Sequence, residues 1–290
     1  MLKKLKRVIK KIVQKLFTKI LPWVEITSNI HMFDYPLTQH PISNIETYLR
    51  LAKEAEKNTF SFHEVDLFEK NMGFSINKNW LNHLGANTQV VIKKSPLNYA
   101  HGRVLYSALC KYLSHQTKND KSINIVETGT ARGFSSLCMA KAMFDNDYEG
   151  CICTIDLIPH NTKMYWNSIS DHSHGPLTRA ELLDNWSNLV DRYILFVQGS
   201  SKQMLPKLSF SRIHFAFLDG SHTYEDVMFE FNSISACQKR GDLIIFDDYN
   251  PKQFPGIVKA VNLIEENLGY KLNKIQNIDE KRGYVIAKKL

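Results

Sequence analysis

Short apolar runs alternate with amphipathic segments over the last two thirds of the chain, and this alternation constrains the fold more than any other feature. Runs of strand length occur at 123–128, 151–156, 193–198, 213–219 and 243–248. Helical patterns lie between them at 134–143, 177–190, 224–238 and 256–268. Because strands that alternate with helices build crossover units, the chain is predicted to form an α/β, doubly wound, mostly parallel sheet.

The two last apolar runs, at 270–276 and 283–289, have no helical pattern between them, only a charged turn. They predict a terminal β-hairpin, which brings the sheet to seven strands. A helix predicted at 99–113 precedes the first strand. The sheet and this helix therefore form one domain at 96–290.

The net charge of +8 is confined to residues 1–24, because eight basic residues precede the first acidic residue, Glu25. The rest of the chain carries 29 basic and 29 acidic residues, and this neutrality argues against nucleic acid as a partner. Apolar residues recur every three or four positions among the N-terminal lysines, a pattern that predicts an amphipathic helix ending at Pro22. Such a helix either binds an anionic membrane surface or packs on the body or on a partner subunit, as in a homo-oligomer.

The segment 25–95 is predicted to be a helical cap, with one clear helical pattern at 42–57 after Pro41. No stretch of the chain approaches the ~20 apolar residues that a membrane-spanning helix needs. The five cysteines are odd in number and contain no C-x-x-C pair. Their pattern fits a reducing cytoplasm better than a disulfide framework or a zinc site, with attachment to the inner face of the membrane if the N-terminal helix binds lipid.

The strongest local motif follows the first strand and reads Glu127-Thr-Gly129-Thr130-Ala-Arg-Gly133-Phe-Ser135. Glycines at the start of a helix let the backbone approach a ligand, and the helix offers unpaired N–H groups there. The spacing G-x-x-x-G differs from the G-x-G-x-x-G of dinucleotide sites. It resembles motif I of the class I S-adenosylmethionine (SAM) methyltransferases, and this resemblance implies SAM contacts at Glu127, Gly129, Thr130, Gly133 and Ser135.

Two further segments agree with a SAM site. Asp156 ends the second strand, 27 residues after Gly129, where an acid can accept both ribose hydroxyls. Ser200 and Ser201 follow the third strand in a segment that resembles the adenine-contacting loop of catechol O-methyltransferases. Their hydroxyls either bind the adenine edge or cap the next helix, and the two roles are compatible.

Three carboxylates, Asp219, Asp247 and Asp248, follow the fourth and fifth apolar runs. The carboxyl ends of parallel strands meet at the usual ligand crevice of such sheets. Carboxylates gathered there repel one another unless a cation neutralises them, and oxygen ligands favour Mg²⁺ or a similar hard ion. The alternative is that some of the three only cap helices or face solvent.

The segments Asp219-Gly-Ser-His222-Thr-Tyr, Asp247-Asp248-Tyr-Asn and Pro255-Gly-Ile-Val resemble methyltransferase family 24 of the class I SAM methyltransferases. This family is similar to macrolide sugar O-methyltransferases and to the metal-dependent catechol type. The resemblance implies a Rossmann-like fold. It makes Asp219, Asp247 and Asp248 the metal ligands, with Asp219 also a cofactor contact, and His222 the general base.

The resemblance implies methyl transfer from SAM to a hydroxyl of a sugar, another small molecule or a glycan, with Mg²⁺ lowering the pKa of that hydroxyl. Two rival functions stay open: a cephalosporin hydroxylase-like family member, and a non-catalytic SAM-binding scaffold anchored by residues 1–24. The insertion 157–176 is long for a connection and is expected to act as a lid, with Tyr165 and Trp166 stacking on the acceptor.

Overall fold

The computed structural model of the protein describes residues 41–116, 122–277 and 282–290. The predicted helix at 1–24, the start of the cap and most of the turn between the last two strands lie outside these residues. The longer helices are α1 Ile45–Phe60, α2 His63–Met72, α3 Lys78–Thr88, α4 Ala100–Leu113 and α5 Phe134–Asp145. After them come the short helices α6 Ser170–His174, α7 Arg179–Leu182, α8 Ser187–Tyr193 and α9 Ser201–Met204, then α10 Tyr224–Ser235 and α11 Pro255–Asn267.

The seven strands are β1 Ser122–Thr128, β2 Glu149–Asp156, β3 Ile194–Gln198, β4 Phe215–Leu218, β5 Leu243–Phe246, β6 Tyr270–Gln276 and β7 Gly283–Lys289. They form one sheet in the order β3-β2-β1-β4-β5-β7-β6. Pairing is parallel from β3 to β5, and β7 runs antiparallel between β5 and β6. The predicted Rossmann-like sheet with its terminal hairpin is confirmed.

The central strands β4 and β5 are buried along their whole length, as expected where helices cover both faces of a parallel sheet. Both strands are shorter than the apolar runs that predicted them. Asp219, Asp247 and Asp248 therefore lie just beyond the strand ends, in the crevice rather than in the ladder.

The cap contains more helix than its sequence pattern indicated. The expected helix appears as α1, which begins after the N-cap Asn44. The aromatic stretch that follows has no sustained hydrophobic period, yet it forms α2 and α3, which use Gly73 as a left-handed C-cap and Asn77 as an N-cap. Capping residues decided these ends, and hydrophobic periodicity did not show them.

Helix α4 joins the cap to the sheet, and nearly all its residues are buried. Arg103 donates to the Thr59 carbonyl at 2.9 Å and pairs with Asp66 at 2.6 Å and with Glu69. Gly102 packs so closely on α5 that a Cβ would lie 2.7 Å from Phe134. The cap and the sheet consequently share one hydrophobic core.

The segment predicted as one helix at 177–190 is divided into α7, a 3₁₀ turn Asp184–Trp186 and α8. Thr178 and Glu181 form a capping box that starts α7 at a fixed point. Within the insertion 157–176, Trp166 is fully buried and its indole N–H donates to the Leu177 carbonyl at 2.8 Å. The expectation that Trp166 stacks on an acceptor is therefore wrong for this conformation, because the ring is part of the core.

Among the residues that the structure describes, no helix has both the length and the apolar character needed to cross a bilayer.

Candidate active site

The glycine turn, residues 129–133, connects β1 to α5 and has a backbone that other residues adopt poorly. Gly129 has φ +92°, and a Cβ on it would lie 2.4 Å from the Asp219 carbonyl oxygen. Gly133 has φ +88° and is the N-cap of α5. Positive φ and close approach both require glycine here, so the turn brings the ends of β1 and β4 into direct backbone contact.

Glu127, predicted to contact SAM, is completely buried at the end of β1. Its carboxylate accepts hydrogen bonds from the hydroxyls of Ser135, Ser136 and Thr154. Thr130 adds a fourth hydroxyl, 2.5 Å from that of Thr154. Burial raises the pKa of Glu127, and the three hydroxyl donors oppose this shift. In this structure Glu127 and Ser135 hold the glycine turn together through their side chains, and the backbone of the turn is the part suited to a ligand.

Asp156 lies at the end of β2, half-buried beside the glycine turn. Its carboxylate accepts the backbone N–H of Ala131 at 2.6 Å and that of Ile158 at 2.8 Å. The buried Arg179 donates to the carbonyls of the same two residues, Ala131 at 2.9 Å and Ile158 at 3.2 Å. These bonds fix the carboxylate beside the glycine turn.

Ser200 and Ser201 lie at the start of α9, and both are half-buried. Ser200 occupies the N-cap position, but its hydroxyl makes no capping hydrogen bond. Ser201 lies near the buried carboxyl of Glu230. The Ser200 hydroxyl therefore has no capping role that competes with the predicted adenine contact.

The acidic centre comprises Asp219, His222, Asp247 and Asp248 at the ends of β4 and β5. Ligand atoms of Asp219, His222 and Asp248 all lie within 4.8 Å of one another. His222 Nε2 is 3.1 Å from Asp248 Oδ2, and the imidazole stacks on Phe254 at a centroid distance of 4.3 Å. Asp248 has φ +54°, an unusual backbone for a residue other than glycine and one often found at functional sites.

Asp247, which was also predicted to bind the metal, has two hydrogen-bond partners within the protein. It is buried, and its carboxylate accepts from Arg282 at 3.1 Å and from the Asp248 backbone N–H at 2.7 Å. The three-residue group that can hold a cation contains His222 in its place. The physical reason is that Arg282 already neutralises Asp247.

The electrostatics of the centre follow from burial and like charge. Burial, together with Asp247 and Asp248, raises the pKa of Asp219 well above its ordinary value. Burial raises the pKa of Asp247 to about 6, although Arg282 opposes the shift. Burial alone would raise the pKa of Asp248. The hydrogen bond to His222 and the charge of Arg282 outweigh burial and hold this pKa below the ordinary value. Asp219 is consequently the carboxylate that a cation would relieve most.

Arg282 was missed in the sequence, where it appeared only as part of a charged turn. The antiparallel register pairs Phe246 of β5 with Val285 of β7. This register brings the residue before β7 alongside the residues after β5. The sequence did contain a signal for this ion pair: an arginine precedes the last strand of the hairpin, and the neighbouring strand β5 is followed by two acids.

Comparison with known proteins agrees with this geometry. Residues 126–249 match the family model of methyltransferase family 24, described as "Methyltransferase domain". The search of curated proteins found no match. The matched segment contains the glycine turn, Asp156 and the whole acidic centre.

Two solved structures share the fold at low sequence identity. An O-methyltransferase from Bacillus cereus, in complex with SAH, is 17% identical with a TM-score of 0.52, and the match covers 80% of this chain and 100% of that one. The O-methyltransferase TomG from Streptomyces achromogenes, in complex with SAM, is 14% identical with a TM-score of 0.51, covering 74% of this chain and 91% of that one. The resemblance to the class I SAM-dependent methyltransferases is thus confirmed: residues 126–249 match the methyltransferase domain of family 24, and the chain shares its fold with the two O-methyltransferases.

Proposed function

We propose that the protein transfers a methyl group from SAM to a hydroxyl oxygen of a sugar, another small molecule or a glycan, and that a divalent cation, Mg²⁺ or a similar ion, assists. One observation supports this most: the glycine turn and the acidic centre are joined by the contact of Gly129 with the Asp219 carbonyl. A cofactor over the turn has its reactive end beside three carboxylates and an imidazole. This is an arrangement for activating an oxygen nucleophile.

The donors present fit a divalent cation. Asp219 and Asp248 offer carboxylate oxygens and His222 offers a ring nitrogen, and these ligand atoms lie within 4.8 Å of one another. Asp219 gains most from the added charge because no described side chain donates a hydrogen bond to it. When bound, the cation would lower the pKa of an acceptor hydroxyl and orient it.

His222 is proposed as the general base. If its Nε2–H donates to Asp248 Oδ2, the imidazole is oriented and Nδ1 is left to accept the hydroxyl proton. The stacked Phe254 ring keeps the imidazole in place. Ligation of the cation by His222 is the alternative that the same geometry offers, and it removes one nitrogen from proton transfer.

On the cofactor side, Asp156 is proposed to accept the ribose hydroxyls, and Ser200 and Ser201 to contact the adenine. The backbone at Gly129, Thr130 and Gly133 is proposed to lie under the methionine part. The two relatives described above as SAM and SAH complexes support a cofactor of this type.

Transfer of tritiated methyl from SAM to a panel of sugars, glycans and catechols tests the proposal. Activity should disappear in excess EDTA and return with Mg²⁺. Full turnover in EDTA by an extensively dialysed sample would contradict the cation's role. SAM binding without methyl transfer to any member of the panel would favour the scaffold function, and hydroxylated products would favour the hydroxylase-like one.

A titration with Mn²⁺, followed by electron paramagnetic resonance, separates the two roles of His222. Asp219→Asn and Asp248→Asn should each weaken Mn²⁺ binding by at least about tenfold, because each removes a charged ligand. Asp247→Asn is the matched variant and should have a smaller effect, because Arg282 already holds that carboxylate. Unchanged affinity in His222→Gln supports the base, whereas a comparable loss identifies a ligand.

For residues 1–24, which lie outside the described part of the chain, we propose binding to an anionic membrane surface. The support is that these residues carry the entire charge excess on an amphipathic pattern. The full chain should sediment with anionic vesicles at low salt, and a chain starting at Glu25 should not. Loss of an oligomer rather than of vesicle binding in the shorter chain would identify a subunit contact.

A further inference from the structure

A lysine from the segment before α4 lies within electrostatic range of the acidic centre. The backbone N–H of Ile92 donates to the Asn167 side-chain oxygen at 3.1 Å, and the Asn167 amide donates back to the Ile92 carbonyl at 3.0 Å. Tyr48 of the cap donates to the same oxygen at 2.9 Å. Two of these bonds fasten the segment to the insertion 157–176 at Ile92, the residue before Lys93, and the third joins the insertion to α1.

The side chain of Lys93 is half-buried and interacts electrostatically with Asp247 and Asp248, and also with Arg282 and Arg132. Burial, with the nearby arginines, lowers the pKa of its ammonium to about 8. Within the described part of the chain, its ammonium makes no hydrogen bond or ion pair. A partly buried ammonium without a direct partner is costly unless a ligand of opposite charge pairs with it.

His101 on α4 is a second polar group without a partner in the same place. It is 5% exposed, and its Nδ1 has no hydrogen-bond partner among the described residues. Its imidazole interacts electrostatically with Lys93, Arg282 and Asp248, and burial moves its pKa well below the ordinary value. The ring is therefore neutral and can present one N–H donor.

His101 contacts the residue that follows the glycine turn, and both His101 and Lys93 are within electrostatic range of the acidic centre. The His101 ring packs edge-on against Phe134, the residue that follows Gly133, at a centroid distance of 4.7 Å. The same ring and Lys93 are both within electrostatic reach of Asp248. We therefore expect a ligand that extends from the turn to the acids to come near these two groups.

We propose that Lys93, with His101 beside it, binds a carboxylate of a ligand in the active site. This inference rests on the proposed function. The methionine carboxylate of SAM is one source, because the amino-acid end of the cofactor lies over the glycine turn. An acidic group on the acceptor is the other, because the acceptor hydroxyl must reach the acidic centre.

Calorimetric titration with two nucleosides tests the first source. S-adenosylhomocysteine carries the amino-acid carboxylate, and 5′-methylthioadenosine lacks the amino-acid end. If Lys93 binds the cofactor, Lys93→Met should weaken S-adenosylhomocysteine by roughly ten- to a hundredfold and leave methylthioadenosine unchanged. Lys93→Arg should restore part of the affinity, and Lys94→Met, at the exposed neighbouring lysine, is the matched control.

The second source is tested by titrating the S-adenosylhomocysteine-saturated protein, with Mg²⁺, with catechol and with 3,4-dihydroxybenzoate. If Lys93 binds the acceptor, the wild type should prefer the benzoate by about tenfold, and Lys93→Met should remove that preference without changing the cofactor affinity. Lys93→Gln and His101→Leu repeat both tests, with thermal unfolding as the check that each variant is folded.

Weaker S-adenosylhomocysteine binding in Lys93→Met, or loss of the preference for the benzoate, supports a carboxylate site and identifies its ligand. The inference would be overturned if Lys93→Met and Lys93→Gln both bound all four compounds with the affinity of the wild type. A wild type that binds neither nucleoside would instead refute the proposed function. The two failures are therefore distinguishable.

Discussion

Glu127 at the end of β1 and Asp219 just past the end of β4 are carboxylates on neighbouring strands, and they differ in the hydrogen bonds that the surrounding side chains provide. Glu127 is fully buried and accepts three hydroxyl hydrogen bonds. Asp219 has no side-chain donor among the described residues, and its burial beside Asp247 and Asp248 raises its pKa. The proposed cofactor half of the site, around Glu127, is thus satisfied by its own side chains, whereas the proposed catalytic half, around Asp219, has a carboxylate that no side chain of the described residues balances.

The difference shows where rigidity and reactivity are located. Hydroxyl groups around Glu127 fix the glycine turn before any ligand arrives, which lowers the entropy cost of binding a cofactor. At the acidic centre, Arg282 balances Asp247, Asp248 is paired with His222, and Asp219 and Asp248 are the carboxylates of the proposed cation site. The predictions below separate the two halves, from the largest effect to the smallest.

Gly129→Ala should be the most damaging substitution, because it breaks the contact between the halves. A Cβ 2.4 Å from the Asp219 carbonyl, on a backbone with φ +92°, should cost about 3–5 kcal/mol in the free energy of unfolding and abolish SAM binding. Gly73→Ala is the matched control: its φ is +80°, but nothing lies within 4 Å of the added Cβ. That variant should lose only about 1–2 kcal/mol in urea unfolding. Equal losses in the two variants would show that the contact carries no extra cost.

Glu230 is an intermediate case, buried beneath Thr128 with one hydroxyl donor at 2.9 Å and one oxygen without a partner. Burial raises its pKa from the ordinary 4.5 to about 7 in the folded protein. Because the folded state holds the proton more tightly, its stabilising contribution is complete below about pH 4.5 and is lost as the pH rises through about 7.

Glu230→Gln should remove that dependence. The difference between the two pKa values corresponds to about 3 kcal/mol, so the variant should exceed the wild type by up to about 3 kcal/mol at pH 8 and by little near pH 4.5. Urea unfolding of both proteins at the two pH values measures this. A constant difference between wild type and variant would contradict a raised pKa.

Asp156→Ala should weaken SAM by about 1–3 kcal/mol, the range for hydrogen bonds to a charged group. It removes the predicted ribose contact and also the acceptor that fixes the N–H groups of Ala131 and Ile158. Asp226→Ala is a control, because that carboxylate is bound by Lys202 and Thr223 near α10. Calorimetry should show an affinity change for Asp156→Ala alone, and an equal change in both variants would count against the ribose contact.

Asp219→Asn should stabilise the ligand-free protein slightly, by about 1 kcal/mol, because it removes a like charge from the acidic centre. Glu127→Gln should have the opposite sign, because an amide replaces one of the acceptors that three hydroxyls use. Thermal unfolding without added metal compares the two. Destabilisation of both variants would mean that Asp219 is already balanced within the protein.

Most of the fold followed from the sequence because period-2 and period-3.6 patterns are local. The strands β6 and β7 appear at their predicted limits, whereas β4 and β5 stop short of the acids, since apolar composition does not show where the ladder ends. The sequence predicted a helical cap, but it did not give the limits of α2 and α3. Capping residues such as Asn77 and Gly73 define these limits, and hydrophobic periodicity does not.

The candidate site was predicted only in part, because motifs list residues but do not show partners. Asp156 and the glycine turn lie together as their spacing indicated. The ion pair of Asp247 with Arg282 joins residues 35 positions apart through the hairpin. Lys93 comes from the segment before α4, where the fastening of Ile92 by Asn167 depends on tertiary contact.

The most direct test of the account is calorimetric titration of the wild-type protein with SAM and, separately, with NADH. A glycine turn spaced G-x-x-x-G, with Asp156 fixed at its mouth, should bind SAM at one site per chain and should give no binding heat with NADH. Binding of NADH together with no detectable binding of SAM would contradict the assignment of this edge of the sheet to methyl transfer.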